Sequence, residues 1–515
     1  MLILIYNFHM GDRFTQSIFS KVHVHASLLI FFLVLSFCVC SILGKEQLGF
    51  LQGMTEEYVK VAYRLHTTGS IYEDSAVDAF VFRPPGYIYF VAAVLRVSGI
   101  SPRDQLRFST ESQAFEYLTY VGSQICIAHA LLLSCTAVLL FLWISRFTCL
   151  WTAFLIALSF GLNPYSIIYT GLMHYATLHI FCVVLSGYAL TLAVTGQDRR
   201  PFKEFLTGCL WGLTTLVRPL TLILPFFVFI LYFIRYGRSF KRAIGSLLIF
   251  CLGMGVVISP YTARNYVKTQ QFIPVNAQSG IALWAATSPQ TKPAANYYNW
   301  WNLWYGEGMK VYQRVFPDTP YNAQNHIRNC LRVEQEFQKE AFLNLRKQPD
   351  VFWKNVAQNV VTFNSDINSV FIKLFQRVQE NPPPNNIFQW LVLNTPQDFY
   401  SPVAANAFYG LIVLLHILGF IGICVAFFQR DQGLLVPILL YCCFCLAHAI
   451  TYMDIMYYYI KIPFLFLFAA YFLGWLQTYT IDFGRLGIPK RISVATLSSL
   501  CLLICVQIIN VIVFL

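Results

Sequence analysis

Apolar runs long enough to cross the hydrocarbon of a bilayer recur from near residue 28 to Leu515. Inside lipid each backbone N–H and C=O needs an internal partner, so every such run is predicted to be a helix. The spans are expected near residues 24–43, 117–143, 149–165, 175–196, 203–218, 220–235, 244–261, 403–428, 433–450, 457–478 and 492–514. The expected fold is an all-α polytopic membrane protein with about eleven transmembrane helices. Composition agrees: 57% of the 515 residues are hydrophobic and 12% are charged, roughly half the charged share of a soluble domain. The first run follows a weakly basic start (Arg13, Lys21). It is too long for a signal peptide and has no obvious cleavage site, so it reads as a retained anchor.

A net charge of +12 would point to nucleic acid in a soluble protein. Here many of the basic residues lie in short connections between spans, where they set orientation, and no nucleic-acid partner is expected. The fifteen Cys are mostly in apolar segments, where Cys behaves as a small hydrophobe. The long polar loop holds only Cys330, so no disulfide framework is visible, and no Cys/His spacing resembles a zinc site.

Orientation turns on residues 83–99. If this segment does not cross and the N-terminus is cytoplasmic, the clusters at Arg146, Arg199, Arg200, Lys203, Arg235, Arg238, Lys241, Arg242, Arg430, Arg485, Lys490 and Arg491 all face the cytoplasm. If it crosses, all of them move outside. Residues 83–99 therefore read as a helix on the outer surface, with Tyr87, Tyr89 and Phe90 suited to the interface. Arg103 and Arg107 fall outside in this arrangement. A second surface helix is predicted over 56–66, capped by Thr55, opened by Glu56 and Glu57, and ended by Gly69. The organisation is thus an N-terminal membrane module over 1–261 with a first outer loop at 44–116. A large outer loop at 262–402 separates spans seven and eight, and C-terminal helices occupy 403–515. That loop carries a Trp-rich stretch around Trp300, Trp301 and Trp304, whose rings suit stacking on sugar faces and interfacial anchoring equally, then an amphipathic helical pattern near 325–346.

Four cations stand out because they lie on the outer side: Arg83 before Pro84-Pro85-Gly86, Arg218 before Pro219, Arg264 past the seventh span, and Lys461 before Ile462-Pro463. Flanking cations commonly snorkel to head groups, which explains any one of them alone. Four at one level on the side where positive charge is disfavoured suit an anionic head group, and a lipid phosphate is the natural ligand. The nearby acids Glu56, Glu57, Glu73, Asp74 and Asp78 either complement helix dipoles or supply a base. His129, His174, His179, His416 and His448 lie in or beside spans; bonded core imidazoles and proton relays fit them equally well.

These residues form a familiar pattern. Gly53-Met54-Thr55-Glu56-Glu57-Tyr58, Phe82-Arg83-Pro84-Pro85-Gly86-Tyr87, Asn163-Pro164-Tyr165, Val217-Arg218-Pro219, Ser259-Pro260-Tyr261-Thr262-Ala263-Arg264-Asn265, Gln348-Pro349 and Lys461-Ile462-Pro463 follow one another in an order that resembles the GT-C superfamily of membrane glycosyltransferases. The likeness is to the branch of protein O-mannosyltransferase-like and aminoarabinose transferase-like enzymes. The resemblance implies a polyprenyl-phosphate or dolichyl-phosphate sugar donor, inversion at the sugar carbon, and transfer on the outer or lumenal face. It implies that Arg83, Arg218, Arg264 and Lys461 bind the donor phosphate. Glu57 is then the catalytic base, with Glu56 its competitor. Asp74, Asp78, Tyr58 and Trp300 are possible acceptor or sugar contacts. The family usually carries an Asp four positions before the Tyr that matches Tyr58; this chain has Met54 there.

No cofactor is expected, and a divalent metal ion stays open. The expected partners are the lipid-linked sugar, an unknown acceptor and membrane lipids. The expected location is a bacterial cytoplasmic membrane or the endoplasmic reticulum. Two other readings accompany the enzyme: a non-catalytic relative that binds the lipid carrier, motivated by Met54, and a transporter or flippase of lipid-linked sugars.

Overall fold

Helices follow the apolar runs. The computed structural model describes residues 21–43, 58–69, 71, 81–99, 111–171, 173–196, 201–237, 239–291, 303–317, 329–365, 414–415, 417–426, 432–451, 459–476, 480–482 and 491–493. In chain order its helices are α1 (Lys21–Leu43), α2 (Lys60–Thr68), α3 (Pro85–Val97), α4 (Glu111–Ile144), α5 (Leu150–Gly161), α6 (Pro164–Thr170), α7 (Ala176–Thr195), α8 (Pro201–Val217), α9 (Leu224–Arg235) and α10 (Phe240–Thr269). The loop helices are α11 (Ser279–Thr287), α12 (Met309–Val315), α13 (Cys330–Lys347) and α14 (Pro349–Ser365). Then come α15 (Ile417–Ala426), α16 (Leu435–Ala449) and α17 (Ile462–Trp475).

The described residues are helical apart from one short two-stranded pairing, and the architecture is that of a multi-pass helical membrane protein. Of the described helices, α1, α4, α7 and α10 are long and apolar enough to cross a membrane by themselves. Several expected spans are shorter or broken. The one expected at 149–165 splits into α5 and α6, with a break at Leu162 and Asn163 and Pro164 as the first residue of α6. The one at 220–235 opens with a 3-10 turn, Pro219–Ile223, before α9. The one expected at 492–514 begins in a short antiparallel pairing of β1 (Thr480–Asp482) with β2 (Arg491–Ser493), with Ile481 opposite Ile492. The rest of that run lies outside the described residues.

α3 has 13 residues, about 20 Å of helix, well short of the ~30 Å hydrocarbon core. It packs on α2, α4 and α8. α2 is the helix expected at 56–66. It follows a wider turn through Tyr58 and Val59 and ends at Gly69, whose φ of 72° lets its N–H reach Leu65 O at 3.0 Å. Thr55, Glu56 and Glu57 lie outside the described residues. α10, at 30 residues, is about 45 Å long, longer than a ~30 Å hydrocarbon core, and Arg264 lies in its last two turns.

Three apolar cores result. The largest joins the membrane helices. A second gathers Tyr58, Ala62, Tyr87, Val91, Tyr175 and Val217 where α2 and α3 meet the ends of α4, α7 and α8. The third, inside the large loop, is built on Trp284, Trp304, Tyr312 and Phe337. α8 and α10 cross closely. A Cβ at Gly208 would overlap the Phe250 carbonyl, and one at Gly253 would overlap that of Phe205. α14 ties the loop to the membrane helices with one asparagine face. Asn355 Nδ2 donates to Ala286 O (2.9 Å) and Ser288 O (3.1 Å); one turn on, Asn359 Nδ2 donates to Ala449 O (3.1 Å).

Candidate functional site

Two of the four predicted cations owe their places to proline. Pro219 follows an extended Arg218 and opens a 3-10 turn, while Pro84, itself extended, caps α3, whose first residue is Pro85. Arg218 thereby ends α8, its N–H still bonded to Thr214 O at 2.9 Å. The two segments then meet. A Cβ on Gly86 would stand 2.7 Å from Val217 N and 2.8 Å from Leu216 C, so glycine is what lets α3 press its first turn onto the last turn of α8. Arg83 and Arg218 flank that contact in sequence.

Aromatic rings complete the join. The Arg83 guanidinium lies over the Phe82 ring (4.6 Å) and the Tyr58 ring (5.8 Å), and Arg218 lies over Tyr175 at 5.4 Å. Tyr58 and Tyr175 are themselves 6.0 Å apart, so one ring pair links both arginines. Tyr58 also meets Tyr87 edge-on at 5.3 Å. Tyr87 OH donates to His129 Nε2 (3.3 Å), and His129 Nδ1–H donates to Thr170 O (3.3 Å). The carbonyl can only accept, which fixes this tautomer. His129 is thus a bonded core imidazole.

The chain after α10 braces Arg83 from the other side. Asn265 Nδ2 donates to Ile273 O (2.9 Å), and Ala277 N–H donates to Val81 O (2.8 Å). Asn276 Nδ2 reaches Phe82 O (3.3 Å), and Arg83 Nη1 reaches Gln278 Oε1 at 3.5 Å. Gln278 is the N-cap of α11. The buried Glu334 of α13 accepts the N–H groups of Gly280 and Ile281 at that same helix start.

The other two cations are placed differently. Arg264 lies over Tyr261 of its own helix at 5.4 Å. Lys461 is fully buried at the N-cap of α17; its Nζ donates to Phe363 O near the end of α14 and sits 5.1 Å from the Phe363 ring. Glu57, Glu56, Asp74, Asp78 and Trp300 lie outside the described residues. Trp304 fills the loop core, 4% exposed and stacked on Phe337 at 5.5 Å, instead of facing a sugar. Sequence reading missed Tyr175 and Gln278. Tyr175 carried a weak signal, as the N-cap of a predicted span. Gln278 carried none, since it meets Arg83 across 195 residues.

His174 joins the same neighbourhood. Its Nδ1 accepts Ala176 N–H at 3.1 Å, and its ring lies 4.0 Å from Tyr175. Burial pushes its pKa well below the usual imidazole value, and Arg218, His129 and Arg83 push it further the same way.

No family model and no curated protein matches the chain. Among solved structures it is similar to the archaeal oligosaccharyltransferase AglB from Archaeoglobus fulgidus in complex with an inhibitory peptide and a dolichol-phosphate. The TM-score is 0.52 at 13% identity, covering 94% of this chain and 55% of that one. The apo form of the Archaeoglobus fulgidus oligosaccharyltransferase gives 0.50 at 10% identity, over 94% and 55%. The chain has the GT-C fold. It spans about half the length of these GT-C structures. ArnT from Cupriavidus metallidurans bound to undecaprenyl phosphate is similar at a TM-score of 0.35 and 12% identity, over 88% and 77%.

Proposed function

We propose that this chain is a glycosyltransferase that moves a sugar from a polyprenyl or dolichyl phosphate donor to a lipid, glycan or protein acceptor on the outer or lumenal membrane face. The observation that carries this reading is the pairing of Arg83 with Arg218 through the Tyr58 and Tyr175 rings. Two guanidiniums at adjoining helix ends suit the bidentate, charge-assisted binding of one phosphate. The fold supports it, as does the dolichol-phosphate in the AglB complex. In this reading Arg264 and Lys461 contribute to the same field from the ends of α10 and α17, and Tyr58 borders the sugar.

Glu57, the residue before Tyr58, takes the proton of the acceptor hydroxyl, with Glu56 its competitor. The acceptor oxygen forms a bond to the anomeric carbon, the carbon–oxygen bond to phosphate breaks, and the lipid phosphate leaves with the electron pair. The arginines stabilise the charge that gathers on the leaving oxygen. The activated sugar arrives on its lipid, so no nucleotide site is required.

The test supplies the purified protein with labelled polyprenyl-phosphate sugars and a panel of acceptors. Product is expected from the native chain, is lost in Glu57→Gln and is retained in Glu57→Asp. Met54, standing where the resembling family has Asp, motivates the second reading. Donor bound without product over a broad sugar panel would replace the enzyme with a non-catalytic carrier-binding relative. Lipid movement between leaflets without transfer would make the chain a transporter.

A further inference from the structure

His174 is 3% exposed and sits in the turn before α7. Its Nδ1 accepts the Ala176 N–H, so in the neutral ring the proton is on Nε2. That Nε2–H is buried and meets no hydrogen-bond acceptor among the described residues. A buried donor left in that condition costs free energy, and native structures explain such groups by strain, by a function, or by a water, ion or ligand that completes them. Its surroundings say which kind. Arg218, Arg83 and the positive end of the 20-residue α7 all act near this ring. The Arg218 guanidinium lies over the ring of the adjacent Tyr175 at 5.4 Å, and His174 itself lies 4.0 Å from that ring. A donor in such company is completed by an anionic oxygen.

We propose that His174 is a further ligand of the phosphate, its Nε2–H donating to a phosphate oxygen of the lipid head group alongside Arg83 and Arg218. This rests on the reading of those two arginines as the phosphate site. A neutral donor adds a directed hydrogen bond without adding charge, and it selects for an oxygen at one point. The same atom explains why the residue is histidine: one nitrogen caps the start of α7 while the other faces the ligand.

Two substitutions separate these jobs. His174→Asn keeps an acceptor near the position of Nδ1 for the Ala176 N–H and removes the distal donor. His174→Gln supplies an N–H near the position of Nε2. Binding of farnesyl phosphate to the full chain in nanodiscs is measured by thermophoresis, with farnesol and inorganic phosphate as separate arms, and folding is checked by the thermal transition. The expected result is about tenfold weaker farnesyl phosphate binding in His174→Asn and near-native binding in His174→Gln, with farnesol silent in all. A folded His174→Asn that binds like the native chain, while Arg218→Ala has lost binding, overturns the role of His174 and leaves the arginine site standing. So does a folded His174→Gln as weak as His174→Asn. Native-like binding in Arg83→Ala and Arg218→Ala removes the phosphate site itself. Equal competition by inorganic phosphate would reassign the ligand from a lipid head group to a free anion.

Discussion

Arg218 and Arg235 bracket the same short span and meet opposite ends of α7. Arg235 sits at the C-terminal end, where its Nη1 donates to Ala193 O (2.6 Å) and its Nη2 to Gly196 O (2.9 Å). A cation there supplies donors to carbonyls that the helix cannot pair and complements the negative end of its dipole. Arg218 sits at the N-terminal end, over the ring of the N-cap residue Tyr175, where the dipole opposes a positive charge. One arginine finishes a helix. The other stands at the helix end whose dipole disfavours its charge. Residue type and membrane position alone do not separate these roles; the end of the helix that each one meets does.

The largest expected effect separates the two arginines. Arg218→Ala is predicted to lower sugar transfer on the order of a hundredfold or more, with little change in thermal stability. Arg235→Ala is predicted to do the reverse, costing roughly 1–3 kcal/mol because two carbonyls lose their donors, with the transfer rate per folded molecule nearly unchanged. Melting curves and initial rates on both variants decide it. Comparable activity losses in the two would end the contrast.

A smaller effect comes from the contact that sets Arg83 beside Arg218. Gly86→Ala places a Cβ 2.7 Å from Val217 N, so α3 must shift away from α8. Displacing a binding group by a fraction of an ångström to an ångström is expected to cost about tenfold or more in rate. Gly255, where an added Cβ meets nothing within 4 Å, is the control, and Gly255→Ala is expected to be silent. Native activity in Gly86→Ala would mean that the spacing of the two arginines does not matter.

Much of this was readable in advance, for definite reasons. Among the described residues helices lie where hydropathy places them, and the prolines after Arg83 and Arg218 mark where helical turns begin. Gly69 ended α2 as expected because only a left-handed residue closes that helix. Lys461 was harder. Its position before Ile462-Pro463 read as interfacial, but its carbonyl partner Phe363 is 98 residues away, at the end of a loop helix that returns to the membrane bundle. Nor does hydropathy reveal that Asn355 and Asn359 face backbone carbonyls rather than water. Trp304 read as a sugar platform or interfacial anchor because Trp-rich loops suit both, whereas α13 supplies Phe337 to bury it. In each case the missing information was the path of a long loop, which no local pattern carries.

The smallest effect expected on transfer itself asks whether that loop tunes the Arg83 side. Glu334 holds the start of α11, where Gln278 meets Arg83. Burial pushes the Glu334 carboxyl up to about 7 from an ordinary 4.5, against the opposing pull of the Gly280 and Ile281 N–H groups and Ser279. The unfolded chain therefore loses this proton near 4.5 while the folded chain keeps it until near 7. Between those values the native state binds more protons, so stability falls as pH rises, by on the order of 3 kcal/mol across the window, and then levels. Glu334→Gln removes this titration. The native protein is expected to melt a few degrees lower at pH 8 than at pH 5 relative to the variant, read as the difference between two pH series of fluorescence melts. Parallel series would show that Glu334 does not titrate in this window. If the difference appears, transfer rates in the same window show whether α11 positions Arg83 or only secures the loop: a positioning role moves the native rate with pH and leaves the Gln variant flat.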